Sequence, residues 1–266
     1  MTDQRRDSYH RDHWIEVSDA RKAAYEEMFR WRPEMEPLLA PAGLEPGQRV
    51  LDVGCGPGQL SVELARRVAP EGHVTGVDIN PDFVARTNAR AAAEGLAAQL
   101  KAVEGGEGAL PFADDSFDRV LCKSVLEYVT DPAATVVEMR RVARPGGLVH
   151  VVDSDWRMLA LEPVGPARSA ALFDAARYAY RTPHIGRLLP GLFRRAGLTD
   201  VNVAVYASPD LSGRRAPIVR NMADYAREFG QMDETEIAAI EAEVEQAIEE
   251  GTYLFILPQF VVTGVA

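Results

Sequence analysis

Val50-Leu51-Asp52-Val53-Gly54-Cys55-Gly56-Pro57-Gly58-Gln59 is the stretch from which the fold can be read. An apolar run enters an acidic residue and then a turn with glycine at alternate positions. Leu60, Leu64, Ala65 and Val68 follow at the spacing of one helical face. A strand, a glycine loop and a helix in that order present bare backbone N–H groups to a nucleotide-like ligand. The dinucleotide form of this loop is G-x-G-x-x-G, which counted from Gly54 requires glycine at position 59. That position is Gln59, and the third glycine comes one residue early as Gly58. The loop is therefore G-x-G-x-G, with Asp52 two residues ahead of it.

Working outward, the pattern predicts strands over 49–53, 73–78, 100–104, 118–122 and 148–152. Helices are predicted between them over 58–69, from Pro81 to about Glu94, and from Pro132 to about Ala143 with Asp131 as cap. Beyond these the spacing predicts helices over 166–181, from Ile185 to Gly197 and over 233–250, and strands over 201–207 and 253–262. Before the first strand, Ser18 can cap a helix carrying Ala24, Tyr25, Met28 and Phe29 on one side. Seven strands alternating with helices imply an α/β, doubly wound and mostly parallel sheet with helices on both faces. One domain over 1–266 follows, with a helical N-terminal lid over 1–45, a core over 46–153 and a C-terminal helical cap over 154–266.

Composition narrows the function. The 29 Lys and Arg against 40 Asp and Glu give a net charge of −11, which argues against a nucleic-acid partner. No run of 18 apolar residues predicts a membrane span, and the polar N-terminus does not read as a signal peptide, so the expectation is a cytoplasmic protein. Cys55 and Cys122 cannot make a disulfide framework or a four-ligand zinc site. The eight carboxylates over 233–250 are scattered as on a solvent face, so no metal site is expected.

Four segments in order carry a family resemblance. Asp52-Val53-Gly54-Cys55-Gly56-Pro57-Gly58 resembles the first signature of the class I S-adenosylmethionine-dependent methyltransferases. Gly76-Val77-Asp78-Ile79 resembles the second, and Leu110-Pro111-Phe112-Ala113-Asp114-Asp115-Ser116-Phe117-Asp118 resembles the L-P-F-x-D-x-S-F-D run. Val142-Ala143-Arg144-Pro145-Gly146-Gly147 resembles the turn before the fifth strand. The overall pattern is similar to the ubiquinone-biosynthesis-type and natural-product branches. The resemblance implies a Rossmann-like fold, S-adenosylmethionine as cofactor and a small-molecule substrate. It implies that Gly54, Cys55, Gly56 and Gly58 cradle the cofactor, that Asp52 supports its amino group, and that Asp78 accepts from the ribose hydroxyls with Ile79 on the adenine. The family's Asp before L-P-F is replaced by Gly106, which leaves Glu107 or backbone alone to meet the adenine amino group. Lys123 and Tyr25 complete the expected cofactor shell.

The acceptor side is less explicit. A phenol or enol must lose a proton before attack, which is typically worth 10²–10⁴-fold. Of the five histidines, His73 and His150 fall in or beside strands. His184 is the leading candidate base, with Asp155 beside it as base or orienting group, and His10 and His13 next. Trp156 can stack a planar substrate. The expected reaction is in-line SN2 transfer, most readily to oxygen, with nitrogen and carbon acceptors as alternatives. A nicotinamide oxidoreductase and a non-catalytic cofactor binder are the competing functions. A homodimer through the flanks is compatible with this pattern.

Overall fold

The computed structural model describes residues 3–15, 17–28, 30–106 and 108–266. The chain begins with helices α1 (Asp3–Ile15), α2 (Asp19–Met28) and the single turn α3 (Glu36–Leu39). The core follows as β1 (Arg49–Val53), α4 (Gln59–Val68), β2 (His73–Asp78), α5 (Pro81–Ala93), β3 (Leu100–Glu104), β4 (Phe117–Lys123), α6 (Pro132–Val142) and β5 (Ala143–Ser154). The last part holds β6 (Ala160–Glu162), α7 (Gly165–Ala176), α8 (Ile185–Arg195), β7 (Thr199–Tyr206), α9 (Ala216–Phe229), α10 (Glu234–Glu250), β8 (Leu254–Ile256) and β9 (Gln259–Val265).

Seven of these strands form one sheet in the order β3-β2-β1-β4-β5-β9-β7. β3, β2, β1, β4 and β5 run parallel, and β9 runs antiparallel to both β5 and β7. The order reverses beside β1, so the loop after β1 opens at the edge where ligands of such sheets bind. Val50 and Leu51 are fully buried, as expected of a strand covered on both faces. One face packs on α6 and α8 through Val136, Met139, Leu189 and Phe193. The other packs on α4 through Val62, Leu64, Ala65 and Val68.

The helices begin where the local chemistry dictates. Asn80 caps α5 by accepting from Asp82 N and Phe83 N, and Pro81 occupies the first turn. Asp131 does the same for α6 through Ala134 N. In α10 most acidic side chains are exposed and several are paired. Arg168 bridges Glu236 and Glu243, and Arg227 bridges Glu234 and Glu241. Among the described residues no cluster of three or more potential metal ligands occurs.

The structure departs from the sequence reading in the flanks. The single strand expected over 253–262 is two strands, β8 paired with β6 and β9 in the main sheet. Pro258 lies between them and lacks the N–H that a continuous ladder needs. α9 was not anticipated, although Val219, Met222, Ala223, Ala226 and Phe229 form its buried stripe. α1 falls in the region expected to be helical, but its bounds were not anticipated, because its sequence has no apolar periodicity. These pieces share a second hydrophobic core, in which α7, α9 and α10 gather around Leu172, Tyr225, Phe229 and Phe255.

Candidate functional site

The glycine loop is fixed from three directions. Gly54 N and Cys55 N donate to Val77 O at 2.8 and 3.1 Å, which ties the loop to the end of β2. Thr87 Oγ1 donates to Gly56 O at 2.8 Å, and Arg90 Nε donates to Pro57 O at 3.1 Å, both from α5. Gly56 N donates to Asp78 Oδ2 at 2.8 Å. The three glycines adopt left-handed φ values of 70°, 53° and 86°, and they serve different ends. A Cβ on Gly54 would lie 2.4 Å from Val125 Cγ2, and one on Gly58 would lie 2.7 Å from Thr87 Oγ1. A Cβ on Gly56 would meet no protein atom within 4 Å. Gly54 and Gly58 are thus required by packing, whereas Gly56 faces open space.

That space is a cavity of about 1270 Å³, counting the part continuous with solvent. Asp52, Gly54, Cys55, Gly56, Asp78, Ile79 and Lys123 all line it. Asp78 Oδ2 accepts from Gly56 N at 2.8 Å and Oδ1 from Asn80 N at 2.9 Å. Burial raises its pKa from the ordinary carboxylate value, against the pull of these N–H groups. Asp52 accepts from Ser61 Oγ at 2.6 Å, and burial pushes its carboxyl up to about 6. Gly58 stands outside the cavity wall and starts α4. Glu107 lies outside the described residues.

Lys123 closes β4, and among the described residues its Nζ makes one hydrogen bond, to Ser124 Oγ at 3.4 Å. Three carboxylates surround this region, but each is engaged elsewhere. Besides Asp52, Asp153 accepts from Leu126 N and Ser154 N at 2.9 Å, and Glu127 accepts from Trp156 Nε1 at 2.5 Å. Burial raises both of these carboxyls, Glu127 further because Asp153 lies close by. Burial lowers the Lys123 pKa, while Asp153, Glu127 and Asp52 pull the other way. Ser124 has a left-handed φ of 56°, an uncommon conformation for a residue with a side chain.

The far wall comes from the N-terminal segment expected to form a lid. His10, Arg11 and Trp14 of α1 line the cavity, together with Trp31, Met35 and Tyr128. Trp14 meets Tyr128 edge to face with ring centroids 4.8 Å apart. The lid is latched on two sides. Asn80 Nδ2 donates to Trp14 O at 2.7 Å, and Gln59 Nε2 donates to Glu26 O at 2.7 Å. Toward the cap, His13 Nε2, Tyr25 OH and Tyr225 OH form a triangle with sides of 2.7, 3.0 and 3.0 Å. Tyr25 is therefore part of the latch and not of the cavity wall. Burial holds His13 neutral, with its pKa lowered to about 3.

Neither candidate base after β5 reaches the cavity. Asp155 is fully buried, paired with Arg187 and accepting from Arg157 N at 3.1 Å. His184 precedes α8, in a turn held by Trp156 N donating to Pro183 O at 2.9 Å. Trp156 is core, 5.9 Å from Phe173 and 4.8 Å from Tyr180 by ring centroids. His150 Nε2 donates to Leu38 O at 2.9 Å. Among the described residues, His10 is the one histidine on the cavity wall. Trp31 and Met35 escaped the sequence reading, since nothing local to them signals a site.

Comparison with known proteins agrees with this geometry. Residues 44–178 match a family described as a methyltransferase domain. An uncharacterized protein of Mycobacterium tuberculosis is 39% identical over 175 residues, covering 62% of this chain and 61% of that protein. The chain thus spans about three fifths of the length of that relative. The demethylmenaquinone methyltransferase of Geobacillus kaustophilus is 34% identical over 195 residues, covering 66% of this chain and 80% of the relative. The structure of Haemonchus contortus phosphoethanolamine N-methyltransferase 2 in complex with S-adenosyl-L-methionine superposes with a TM-score of 0.64 at 17% identity, over 96% of this chain and 59% of that one.

Proposed function

The chain belongs to the methyltransferase-domain family, the class I S-adenosylmethionine-dependent methyltransferases, and from that premise we propose that it methylates an oxygen of a small, partly apolar metabolite. S-adenosylmethionine supplies an electrophilic methyl group on a sulfonium, leaving as neutral S-adenosylhomocysteine. The residues present fit this group. Gly56 offers an open backbone face, and the Asp78 carboxylate beside it lines the same cavity as an acceptor for the hydroxyls of a ribose. Asp52 stands one strand-edge away, where an α-amino group would lie.

The observation that carries the oxygen reading is the charge of the cavity wall. Among the described lining residues the carboxylates are Asp52 and Asp78, both at the cofactor end. Among the described residues no carboxylate faces the acceptor chamber to hold an ammonium substrate, and the walls there are Trp14, Trp31, Met35 and Tyr128. Such a chamber aligns a planar apolar body, and alignment at about 3–3.5 Å with water excluded supplies most of what this transfer needs. α1 and Trp14 cover the chamber, so entry of the acceptor requires the lid to move.

Calorimetric titration with S-adenosylmethionine tests the cofactor, and a screen of hydroxylated aromatic, enolic and amine metabolites, read by mass gain of one methyl, tests the acceptor. Binding with methylation of hydroxyl compounds is expected. Absence of binding overturns the cofactor assignment, and methylation confined to amines overturns the oxygen reading.

A further inference from the structure

Resting on the oxygen-acceptor reading, we infer that Lys123 is a catalytic residue that takes the acceptor's hydroxyl proton and holds the oxyanion so formed, which makes the substrate class an acidic phenol or enol. The step is a simple exchange. The acceptor O–H bond breaks, the proton joins the lone pair of the Lys123 amine, and the resulting ammonium returns it to water after transfer.

Three observations lead here. Lys123 lines the cavity beside the glycine loop at the end of β4, and a single long contact to Ser124 Oγ leaves its amine open to a ligand. Every carboxylate that could neutralise it is engaged by another donor: Asp52 by Ser61, Asp153 by Leu126 N and Ser154 N, Glu127 by Trp156. Among the described residues none of the three makes an ion pair with Lys123, although all three act on it through space. Of the competing bases, Asp155 is held by Arg187, His184 stands off the wall and His13 is bound within the tyrosine triangle, so among the described residues His10 of α1 is the other candidate on the wall. Burial of Lys123 favours its neutral form, the form that accepts a proton.

The test needs no knowledge of the natural acceptor. Para-nitrophenol is titrated into the complex with S-adenosylhomocysteine, and its phenolate absorbance is followed in wild type, Lys123→Met and Lys123→Arg. An unlike charge at contact distance shifts ionisation by about one unit or more, so the phenolate-to-phenol ratio should rise about tenfold on binding to wild type. Lys123→Met should lose this rise. Lys123→Arg should keep it, because arginine retains the cation although it cannot act as a base. Thermal melts, alike in all three, show that the variants are folded, and each is brought to saturation with S-adenosylhomocysteine by calorimetry before the probe is added. An unshifted probe in wild type, or the same shift in Lys123→Met, overturns the inference while leaving the methyltransferase reading standing. Failure of wild type to bind S-adenosylhomocysteine overturns that reading itself.

Discussion

Replacing Gly56 by alanine should separate binding from folding, and the three loop glycines together make the test sharp. The residue has φ of 53°, and an added Cβ meets no protein atom within 4 Å. The folding cost is then left-handed strain alone, about 1–2 kcal/mol. For a chain of this size that is a fall in melting temperature of a few degrees. The same methyl projects into the cavity where the backbone must be approached closely. Overpacking there costs about 1–3 kcal/mol, or roughly ten- to a hundredfold in affinity. At Gly54 the balance inverts, because the new Cβ would lie 2.4 and 3.0 Å from the two methyl carbons of Val125. Strain and overlap add, and Gly54→Ala should lose about 3 kcal/mol of stability. Thermal melts and calorimetry with S-adenosylhomocysteine on both variants decide the matter. Gly56→Ala binding within threefold of wild type refutes the placement of the cofactor on this loop.

Asp78→Asn should weaken cofactor binding by about 3 kcal/mol, or a hundredfold, since charge-assisted bonds contribute about 1.5–3 kcal/mol each. Its melting temperature should hold up better than its affinity, because burial already disfavours the charge; calorimetry and melts compared on one sample check this. Asp52 predicts a pH dependence. Its carboxyl is raised from 3.8 to about 6, so the folded state holds its proton more tightly than the unfolded. That contribution to stability is greatest below pH 4, falls as pH rises toward 6 and is flat above. Asp52→Asn should remove a slope worth at most roughly 3 kcal/mol, read as the difference between the two proteins' denaturant midpoints across that range. Tyr225→Phe breaks two sides of the His13–Tyr25–Tyr225 triangle and leaves buried partners unsatisfied, at about 1–2 kcal/mol. Amide exchange in α1 and α2 should speed up about tenfold, and unchanged exchange would show that the triangle does not hold the lid.

What the sequence disclosed and what it withheld follow from the range of the interactions involved. β1, β2 and β3 could be bounded residue for residue, because each is an apolar run closed by Gly, Pro or Asp. The proposed cofactor cradle was legible for the same reason: loop, Asp78 and the cap at Asn80 lie on short segments whose chemistry is local. α9 carried a readable stripe, whereas α1 did not, because its aromatic residues are buried by α9 and not by a periodic face of its own. The acceptor chamber is assembled from residues near 10–14, 31–35 and 123–128, which only the tertiary fold brings together. Asp155 shows how fine the distinction is. It leaves β5 at the ligand edge of the sheet, as a base should, yet its backbone is bound to Pro258 O and its carboxylate to Arg187. A lysine on the neighbouring strand with no such captor is the one left facing the cavity. Charge available for chemistry is thus decided by which partners have already been taken, and those partners lie far along the chain: Arg187 is 32 residues from Asp155, and Trp156 is 29 from Glu127.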